Sequence, residues 1–418
     1  MFIVIPYDND RQTSRFPAVT YALIAVNVIA YLWLLSWNRN DVMSIMGLTP
    51  SHPSIENILS SMFVHKDIYH LGFNMLFLWL FGPSVEDALG RLEYGIFYFG
   101  SGFAAALMHV AVTHGLVADS AATYNSYLSP ADIPMVGASG AIAGVLGVFA
   151  VRFYKTRIRL WYFLFLVFII RWGRFTIPAW IGLTIWFFLQ LLGGIRGIIM
   201  PESGGVAYWS HIGGMLFGMI LASALRMGLE GTKEYLMTHA KSSLACGTTW
   251  DAAEKLLALL KYEPNNADAH RELARTYALQ QNTAEAISHY LKSMELHLQK
   301  DECEEAVEDL IQLKQFYPGI RLPLKPAYQL ARYLLESKNY VPALLLLEEI
   351  VDSYPGTEES EIALMKAGDI YLTELDNPRS ALTCYEKFLR EHPDSPYKAM
   401  VERSFSRAQS RLYKETHQ

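Results

Sequence analysis

Long apolar runs dominate the first 230 residues of the chain, and short polar stretches separate them. Six of these runs approach the length of about 20 residues that a helix needs to cross the hydrocarbon core of a bilayer. The pattern therefore predicts six transmembrane helices. The runs lie at residues 16–37, 58–83, 92–113, 134–151, 175–195 and 206–225.

A seventh apolar run, residues 160–170, is too short to cross a bilayer as a helix. Basic residues flank it on both sides, and such residues are enriched in cytoplasmic loops. We therefore predict an interfacial or re-entrant segment whose two ends lie on the cytoplasmic side. Six spans then place both termini in the cytoplasm. The flanking bases are Arg152, Lys155, Arg157, Arg159, Arg171 and Arg174.

A different pattern follows residue 230, where apolar and polar positions alternate with helical spacing. A small residue precedes a proline by twelve positions in three places, at Ala252–Pro264, Ala343–Pro355 and Ala381–Pro393. The last two units are 38 residues apart, whereas Ala252 and Ala286 are 34 apart. Recurrence at this period is typical of stacked helical repeats.

Charge divides the chain at the same place. Residues 1–230 contain 12 acidic and 13 basic residues, about 11% charged, whereas residues 231–418 contain 29 and 22, about 27% charged. The first part has a membrane-like composition and the second an ordinary soluble one. We predict a membrane domain at 1–230, a linker at 231–250 and a soluble repeat domain at 251–418.

The balance of charges and the cysteines exclude several classes of protein. The net charge is −6, and neither part carries the basic patch that nucleic-acid binding requires. The three cysteines, all in the second part, have no CxxC spacing, which argues against a zinc site or a disulfide scaffold. We predict no metal and no cofactor, and a repeat domain kept in a reducing cytosol.

Four of the polar residues inside the apolar runs stand out, since polar groups are costly there and indicate function. His70 and Asn74 are four positions apart in the second run and so share a helix face. Ser139 begins the fourth span, and His211 lies about one turn into the sixth. Two crossings separate Ser139 from His211, which places both near the outer face of the membrane at similar depth.

Small residues at helical spacing accompany both Ser139 and His211. The fourth run contains Gly140, Gly144 and Gly147, and the sixth contains Ser210-x-x-x-Gly214-x-x-x-Gly218. Such stripes let helix backbones approach closely in lipid. We therefore predict that the fourth and sixth spans pack together and bring Ser139 next to His211.

This set of residues suits acyl transfer. A serine hydroxyl needs a base to take its proton, and His211 is the candidate for Ser139. The developing oxyanion needs hydrogen-bond donors, which Asn74, His70 and the Ser139 backbone N–H can supply. Gly137 and Gly140 flank the serine and allow close backbone approach. No carboxylate lies in the fourth or sixth run, so we predict a Ser–His dyad rather than a triad.

The motifs Gly137-Ala138-Ser139-Gly140, His70-x-x-x-Asn74 and Ala207 to Gly214 around His211 resemble the rhomboid family of intramembrane serine proteases. The resemblance covers roughly residues 10–228. It implies a six-helix bundle with Ser139 as nucleophile, His211 as general base, and His70, Asn74 and the Ser139 amide as oxyanion donors. It implies substrates that are other membrane proteins, cut in or near a transmembrane helix. It also makes the fifth span, with Trp186 to Leu189, a candidate lateral gate.

The sequence departs from this family's pattern in places. Some members stack an aromatic residue four positions after the serine on the catalytic imidazole, but this chain has Ala143 there. We therefore expect Tyr208 or Trp209 to hold the His211 ring. Glu86 is expected to be a structural hydrogen-bonding residue, and the loop 116–134 has no assigned role.

The repeats of the second part resemble tetratricopeptide repeats, which implies a concave surface for a cytoplasmic protein or peptide. The predicted fold class is thus all-α, a six-helix membrane bundle followed by a soluble helical repeat domain. We predict a multi-pass protein of the bacterial inner (cell) membrane that contacts lipid and transmembrane substrates. Two alternatives remain: a protease-dead scaffold that binds membrane helices, and a solute transporter, although the chain lacks the inverted repeat typical of transporters.

Overall fold

The computed structural model describes residues 2–11, 13–114, 130–166, 169–199 and 207–416. Most of the loop 116–134 lies outside these residues. The chain divides into two compact units, residues 1–235 and 236–418. Residues 231–245, which fall within the predicted linker, are helical.

The first unit is mostly helical, as the apolar runs predict. Its described elements are β1 (Phe2–Asn9), α1 (Ala18–Leu34), α2 (Arg39–Met46), α3 (Ile55–Ser61), α4 (Ile68–Leu89), α5 (Arg91–Val112), α6 (Ser139–Arg152), β2 (Arg157–Leu166), β3 (Ile169–Pro178), α7 (Ala179–Ile199), α8 (Tyr208–Ala224) and α9 (Met227–Ala245).

Each of the six predicted runs contains one apolar helix. Among the described residues, α4, α5 and α7 are long and apolar enough to cross a membrane, and α8 with α9 forms a pair bent by 72° that also qualifies. The apolar helices α1 and α6 are shorter than 18 residues. The number of six crossings therefore stays a prediction.

The second run is not one continuous helix. Helix α3 ends at Ser61, and α4 starts only at Ile68. The Asp67 side chain caps α4 by accepting a hydrogen bond from the backbone N–H of His70 at 2.8 Å. This cap fixes the first turn of α4, which carries His70.

A three-stranded antiparallel sheet, in the order β1-β2-β3, is the part of the fold that hydropathy did not predict. Residues 160–170 are not a spanning helix, as predicted, but they form most of β2 and the start of β3. Strand β1 completes the sheet by pairing along β2, with Ile5 opposite Trp161. The described residues of this segment, 160–166 and 169–170, pair across β2 and β3.

Helix α6 lies at the centre of the bundle, in contact with α4, α5, α7 and α8. Its contact with α8 is a backbone contact: a Cβ atom added at Gly214 would lie 2.0 Å from the Gly140 carbonyl oxygen. A Cβ atom at Gly218 would lie 2.1 Å from the Gly144 carbonyl oxygen. The predicted packing of the two glycine stripes is therefore confirmed.

A buried carboxylate ties α4 to the start of α1. Glu86, 3% exposed, accepts hydrogen bonds from the backbone N–H groups of Val19 and Thr20 at 3.0 and 2.8 Å, and from the Thr20 hydroxyl at 2.8 Å. These N–H groups belong to the first turn of a helix and have no partner within it. The structural role expected for Glu86 is confirmed.

Ion pairs gather three chain segments at one end of the bundle. Glu234, in α9, accepts from Arg11 at 2.5 Å and from Arg152, the last residue of α6, at 2.8 Å. The Arg11 guanidinium also lies 4.1 Å from the centre of the Phe153 ring. The N-terminal strand, the end of α6 and the start of α9 therefore lie at the same end.

The second unit is a series of paired antiparallel helices with a continuous apolar core. The small residues Ala252, Ala286, Ala343 and Ala381, which define the predicted repeats, are all fully buried. The helices are α10 (Thr249–Tyr262), α11 (Ala267–Leu279), α12 (Thr283–Gln299), α13 (Cys303–Phe316), α14 (Leu324–Glu336), α15 (Tyr340–Ser353), α16 (Glu358–Thr373), α17 (Pro378–Glu391) and α18 (Lys398–Thr416).

An ionic network links α11 to α13 within this core. The Arg271 guanidinium donates to Asp309, which is fully buried, at 2.5 Å and to Glu305 at 2.7 Å. Ser293 donates to the second Asp309 oxygen at 2.8 Å. Burial raises the pKa of Asp309 even beside this cation, so the carboxylate depends on Arg271 to remain charged at low cost.

We predict that an added methyl group at Gly214 destabilises the bundle, whereas one at Gly72 does not. Gly214→Ala forces α6 and α8 apart, which should cost about 1–3 kcal/mol of unfolding free energy. A Cβ atom at Gly72, also within a helix, meets no atom within 4 Å. Thermal unfolding of the two variants in detergent measures the difference, and equal midpoints would contradict the close contact.

We predict that Arg271→Met destabilises the repeat unit by about 3–5 kcal/mol, because it leaves Asp309 buried without a cation. Hydrogen exchange of α11 and α13 in the full-length protein measures this effect locally. The matched control is Lys292→Met, which removes one partner of an exposed pair with Glu295 and should cost less than about 1 kcal/mol. The double variant Arg271→Met/Asp309→Leu should recover stability; no recovery would show that the pair is not the cause.

Candidate functional site

Ser139 is the first residue of α6, directly after a turn that only glycine adopts readily. Gly137 has φ +118°, in the left-handed region, and its N–H donates to the Ser61 carbonyl at 2.8 Å. As the first helical residue, Ser139 has a backbone N–H with no partner inside the helix. That N–H and the positive end of the α6 dipole therefore lie beside the serine side chain.

His211 lies in the first turn of α8 and contacts Ser139 directly. Its Nε2 atom is 2.8 Å from the Ser139 Oγ atom, within ordinary hydrogen-bond distance for a base and the hydroxyl it activates. Both side chains are partly exposed, because they line the same cavity. The two predicted residues, 72 positions apart in sequence, are thus brought together.

The other ring nitrogen of His211 is held from α7. Its Nδ1 atom is 2.8 Å from the Oε1 atom of Gln190. Since a carbonyl oxygen can only accept, this contact requires a proton on Nδ1 and leaves the Nε2 lone pair for the serine hydroxyl. Gln190 therefore holds the His211 ring through an uncharged hydrogen bond.

Trp186, also on α7, lies over the imidazole with its ring centre 5.9 Å from that of His211 and the planes inclined by 33°. We had expected Tyr208 or Trp209 to hold this ring, and that expectation is wrong. The Tyr208 and Trp209 rings instead lie close to Gly193 and Gly194 of α7. The side chains of Tyr208 and Trp209 project from α8 in other directions than the side chain of His211, because of their positions along the helix.

His70 and Asn74 face the turn that precedes Ser139. A Cβ atom at Gly137 would lie 2.7 Å from the His70 Nε2 atom and 3.6 Å from the Asn74 Nδ2 atom. The His70 Nδ1 atom accepts a long hydrogen bond, 3.4 Å, from the Lys66 N–H, so its proton lies on Nε2, toward the turn. A side chain at 137 would collide with the His70 ring, and the φ of +118° favours glycine there as well.

Asn74 carries an unsatisfied donor at the site. It is only 6% exposed, and its Nδ2 atom is buried with no hydrogen-bond partner among the residues that the structure describes. A buried donor without a partner is costly, and such an exception indicates a ligand or a catalytic role. The amide is positioned to donate to an oxygen atom beside Ser139.

These side chains surround one cavity of about 880 Å³. Apolar residues of α6, Ile142, Ala143 and Leu146, line part of its wall. The polar lining includes Ser139, His211, His70, Asn74 and His109. A mostly apolar cavity with a few convergent polar groups is the usual form of a small-molecule or substrate site.

Gln190 and Trp186 are the site residues that sequence reasoning did not assign to His211. A signal existed, since Gln190 interrupts the apolar run 185–192 and an isolated amide inside a span indicates a partner. Which side chain Gln190 contacts depends on the rotation of α7 about its own axis. The spacing of residues in the sequence does not determine that rotation.

A second cluster of possible ligands lies in the repeat unit. Asp268, His297 and Glu305 place ligand atoms within 4.8 Å of one another. The Arg271 guanidinium already occupies this space, 2.7 Å from Glu305 and 3.2 Å from the His297 ring nitrogen. The cluster is therefore the ionic network described above, with its own cation.

Comparison with protein families agrees with the division into two units. Residues 53–228 match the family described as rhomboid domain. Residues 249–295 match tetratricopeptide repeat, and residues 282–416 match a family described as outer membrane lipoprotein.

Several curated proteins match part of the chain. The chain is 28% identical to Rhomboid protein 1, mitochondrial, of Saccharomyces cerevisiae over 52% of its own length and 56% of that protein. It is 26% identical to putative rhomboid protease YdcA of Bacillus subtilis over 32% of its length and 61% of that protein. The matching region of rhomboid protease GluP of Bacillus subtilis, at 22% identity, spans 59% of this chain and 44% of that protein. The chain thus spans about half the length of these relatives.

Solved structures of TPR proteins match part of the chain at low identity. The TPR protein YrrB, whose title describes an unusual peptide-binding site, matches 40% of this chain and 90% of that one, with 15% identity and a TM-score of 0.22. MamA matches 43% of this chain and 97% of that one, with 16% identity and a TM-score of 0.20.

Proposed function

We propose that this chain, an integral membrane protein with a rhomboid domain followed by tetratricopeptide-type repeats, is a serine endopeptidase that cleaves other membrane proteins. One observation carries the proposal: the 2.8 Å contact between Ser139 Oγ and His211 Nε2, inside a cavity that also holds an unpaired amide donor. The relatives named as proteases, YdcA and GluP, support the same reaction class.

The geometry supports a dyad mechanism. His211 Nε2 takes the Ser139 proton as Oγ attacks the scissile carbonyl carbon, and the imidazolium then gives that proton to the leaving amine. A water molecule, deprotonated by the same nitrogen, hydrolyses the acyl-enzyme and restores the serine. The carbonyl oxygen, negatively charged in the tetrahedral intermediate, would accept hydrogen bonds from Asn74 Nδ2, His70 Nε2 and the Ser139 N–H. Gly137 and Gly140 are supporting residues that keep the backbone close.

The proposed substrates are transmembrane segments that can unwind at the cut. A helix hides its peptide bonds in internal hydrogen bonds, so residues that weaken a helix should favour cleavage. Helix α7 is the proposed side of entry, because only Ala179, Leu183 and Gly194 of its residues are buried. Its outward residues Phe188 and Leu189 are more than half exposed.

We propose a bacterial inner (cell) membrane location with both termini in the cytoplasm. The bases of residues 152–174 favour the cytoplasmic side for the sheet. Strand β1 pairs with β2, and Glu234 pairs with Arg152, which supports the same side for the N-terminal strand and for the start of α9. The repeat unit is then proposed to bind a cytoplasmic protein or peptide, and no cofactor or metal is required.

We predict that Ser139→Ala and His211→Ala each abolish cleavage of a single-span substrate by the purified protein in liposomes. A serine-directed fluorophosphonate should label the parent protein but not Ser139→Ala, and His211→Ala should label poorly because the hydroxyl loses its base. Ser210→Ala, at the neighbouring buried serine of α8, is the matched control. Cleavage at the parental rate in both dyad variants refutes the proposal, and an unlabelled parent protein favours the protease-dead scaffold.

We predict that Gln190 positions His211 through the tautomer. Gln190→Leu should lower kcat by about tenfold or more while KM changes little, since the base no longer presents its lone pair to the serine. Gln190→Glu, which restores an acceptor for Nδ1–H, should recover most of kcat. A purely structural role predicts instead that both substitutions lower stability and activity together, which thermal unfolding of the two variants would reveal.

A further inference from the structure

The β1-β2-β3 sheet presents an aromatic face that none of the described helices of its unit covers. On β2, the alternate residues Trp161 and Phe163 are 44% and 37% exposed, and on β3 their neighbour Trp172 is 68% exposed. Register places Phe163 opposite Trp172 and Trp161 opposite Arg174, so all four side chains lie on one face. We call these four residues the aromatic face.

The position of the aromatic face relates it to the bilayer. Strand β3 ends at Pro178, and the membrane helix α7 begins at the next residue, Ala179. Trp180, in the first turn of α7, is also more than half exposed. The sheet therefore ends where the membrane helix α7 begins, at the level where tryptophan side chains concentrate in membrane proteins.

Charge identifies the kind of surface that fits. Residues 152–178 contain six basic residues and no acidic one. Asp8 of β1 pairs with Arg159 at 2.7 Å, but neither Arg171 nor Arg174 forms an ion pair with a described residue. The Arg174 guanidinium instead lies 4.8 Å from the centre of the Trp161 ring. Arginines next to exposed tryptophans suit anionic headgroups beside an acyl-chain boundary.

We propose that the aromatic face docks on the anionic cytoplasmic surface of the bilayer, with Arg174 contacting phosphate groups of acidic lipids; Arg171, opposite Leu164, lies on the other face of the sheet. The occupant is the lipid surface itself, because the sheet continues directly into a membrane helix and its charge is complementary. Docking orders the connection between α6 and α7, the two helices that carry Ser139 and Gln190. This inference does not depend on proteolysis, and the active-site variants leave it untouched.

The test uses the full-length protein with Cys246, Cys303 and Cys384 replaced by serine and a nitroxide attached at Thr176→Cys. Thr176 is exposed and pairs with Arg159, which places it on the same side of the sheet as the aromatic face. The protein is reconstituted in vesicles of phosphatidylcholine alone or with phosphatidylglycerol. Power saturation compares collision of the label with oxygen, which enters lipid, and with a water-soluble nickel chelate.

We expect the label to become protected from the nickel chelate in the phosphatidylglycerol vesicles, and high salt to weaken that protection. Arg174→Gln should lower the ratio of protected to exposed label by about fivefold. The matched control is Arg332→Gln, which removes one exposed arginine of the repeat unit and should change nothing.

Three outcomes overturn the proposal. The label stays accessible to the nickel chelate in both kinds of vesicle. Alternatively, it is equally protected in both and indifferent to the arginine substitution, so that acidic lipid is not recognised. Finally, it is protected already in detergent in proportion to protein concentration, so that a second copy of the chain covers the face.

Discussion

The backbone contact between α6 and α8 is the constraint on which the rest of the membrane unit depends. With Gly214 against the Gly140 carbonyl and Gly218 against that of Gly144, a side chain at either position would meet the neighbouring backbone at about 2 Å. In lipid, apolar burial gives little drive for helix association, so shape and close approach have to supply it. The same approach sets the distance of 2.8 Å between Ser139 and His211, each near the end of its stripe. Packing and chemistry are thus specified by one set of glycines.

Much of this arrangement could be predicted from the sequence because the signals are local. A polar residue inside an apolar run, and glycines repeated every four residues, each have a direct physical meaning in a membrane. The even number of predicted crossings between Ser139 and His211 then predicts that both lie near the same face of the membrane, without any knowledge of contacts. The partner of His211 could not be predicted in this way. Whether Gln190, Tyr208 or Trp209 reaches the imidazole depends on the rotation of whole helices, which is a property of the packed bundle.

The sheet escaped prediction for a different reason. Residues 160–166 form an apolar run that periodicity alone cannot assign to strand or helix, and their partner strand β1 lies more than 150 positions earlier in the chain. Yet this pairing is an independent argument for topology. It holds the N-terminal strand at the end of the bundle where α6 finishes, and Glu234 brings the start of α9 there as well. The contacts show that the N-terminal strand, the end of α6 and the start of α9 lie at the same end of the bundle. The bases of residues 152–174 indicate which side of the membrane that end faces.

Under the proposed mechanism, helix α7 has two roles that oppose each other. Few of its residues are buried, so it is the helix of the bundle that would be displaced at the lowest cost in lost packing. It also supplies Gln190, whose oxygen lies 2.8 Å from His211 Nδ1, and Trp186 over the same ring. A displacement of α7 that widened the cavity would therefore remove the acceptor that fixes the imidazole tautomer. A substrate entering beside α7 would meet a dyad that is not yet aligned, and α7 would have to return before the serine hydroxyl faced a correctly oriented base. Breaking the uncharged hydrogen bond between Gln190 and His211 leaves no buried ion without a partner, whereas separating a triad carboxylate from its histidine would. An amide in this position therefore suits a helix that moves away and returns.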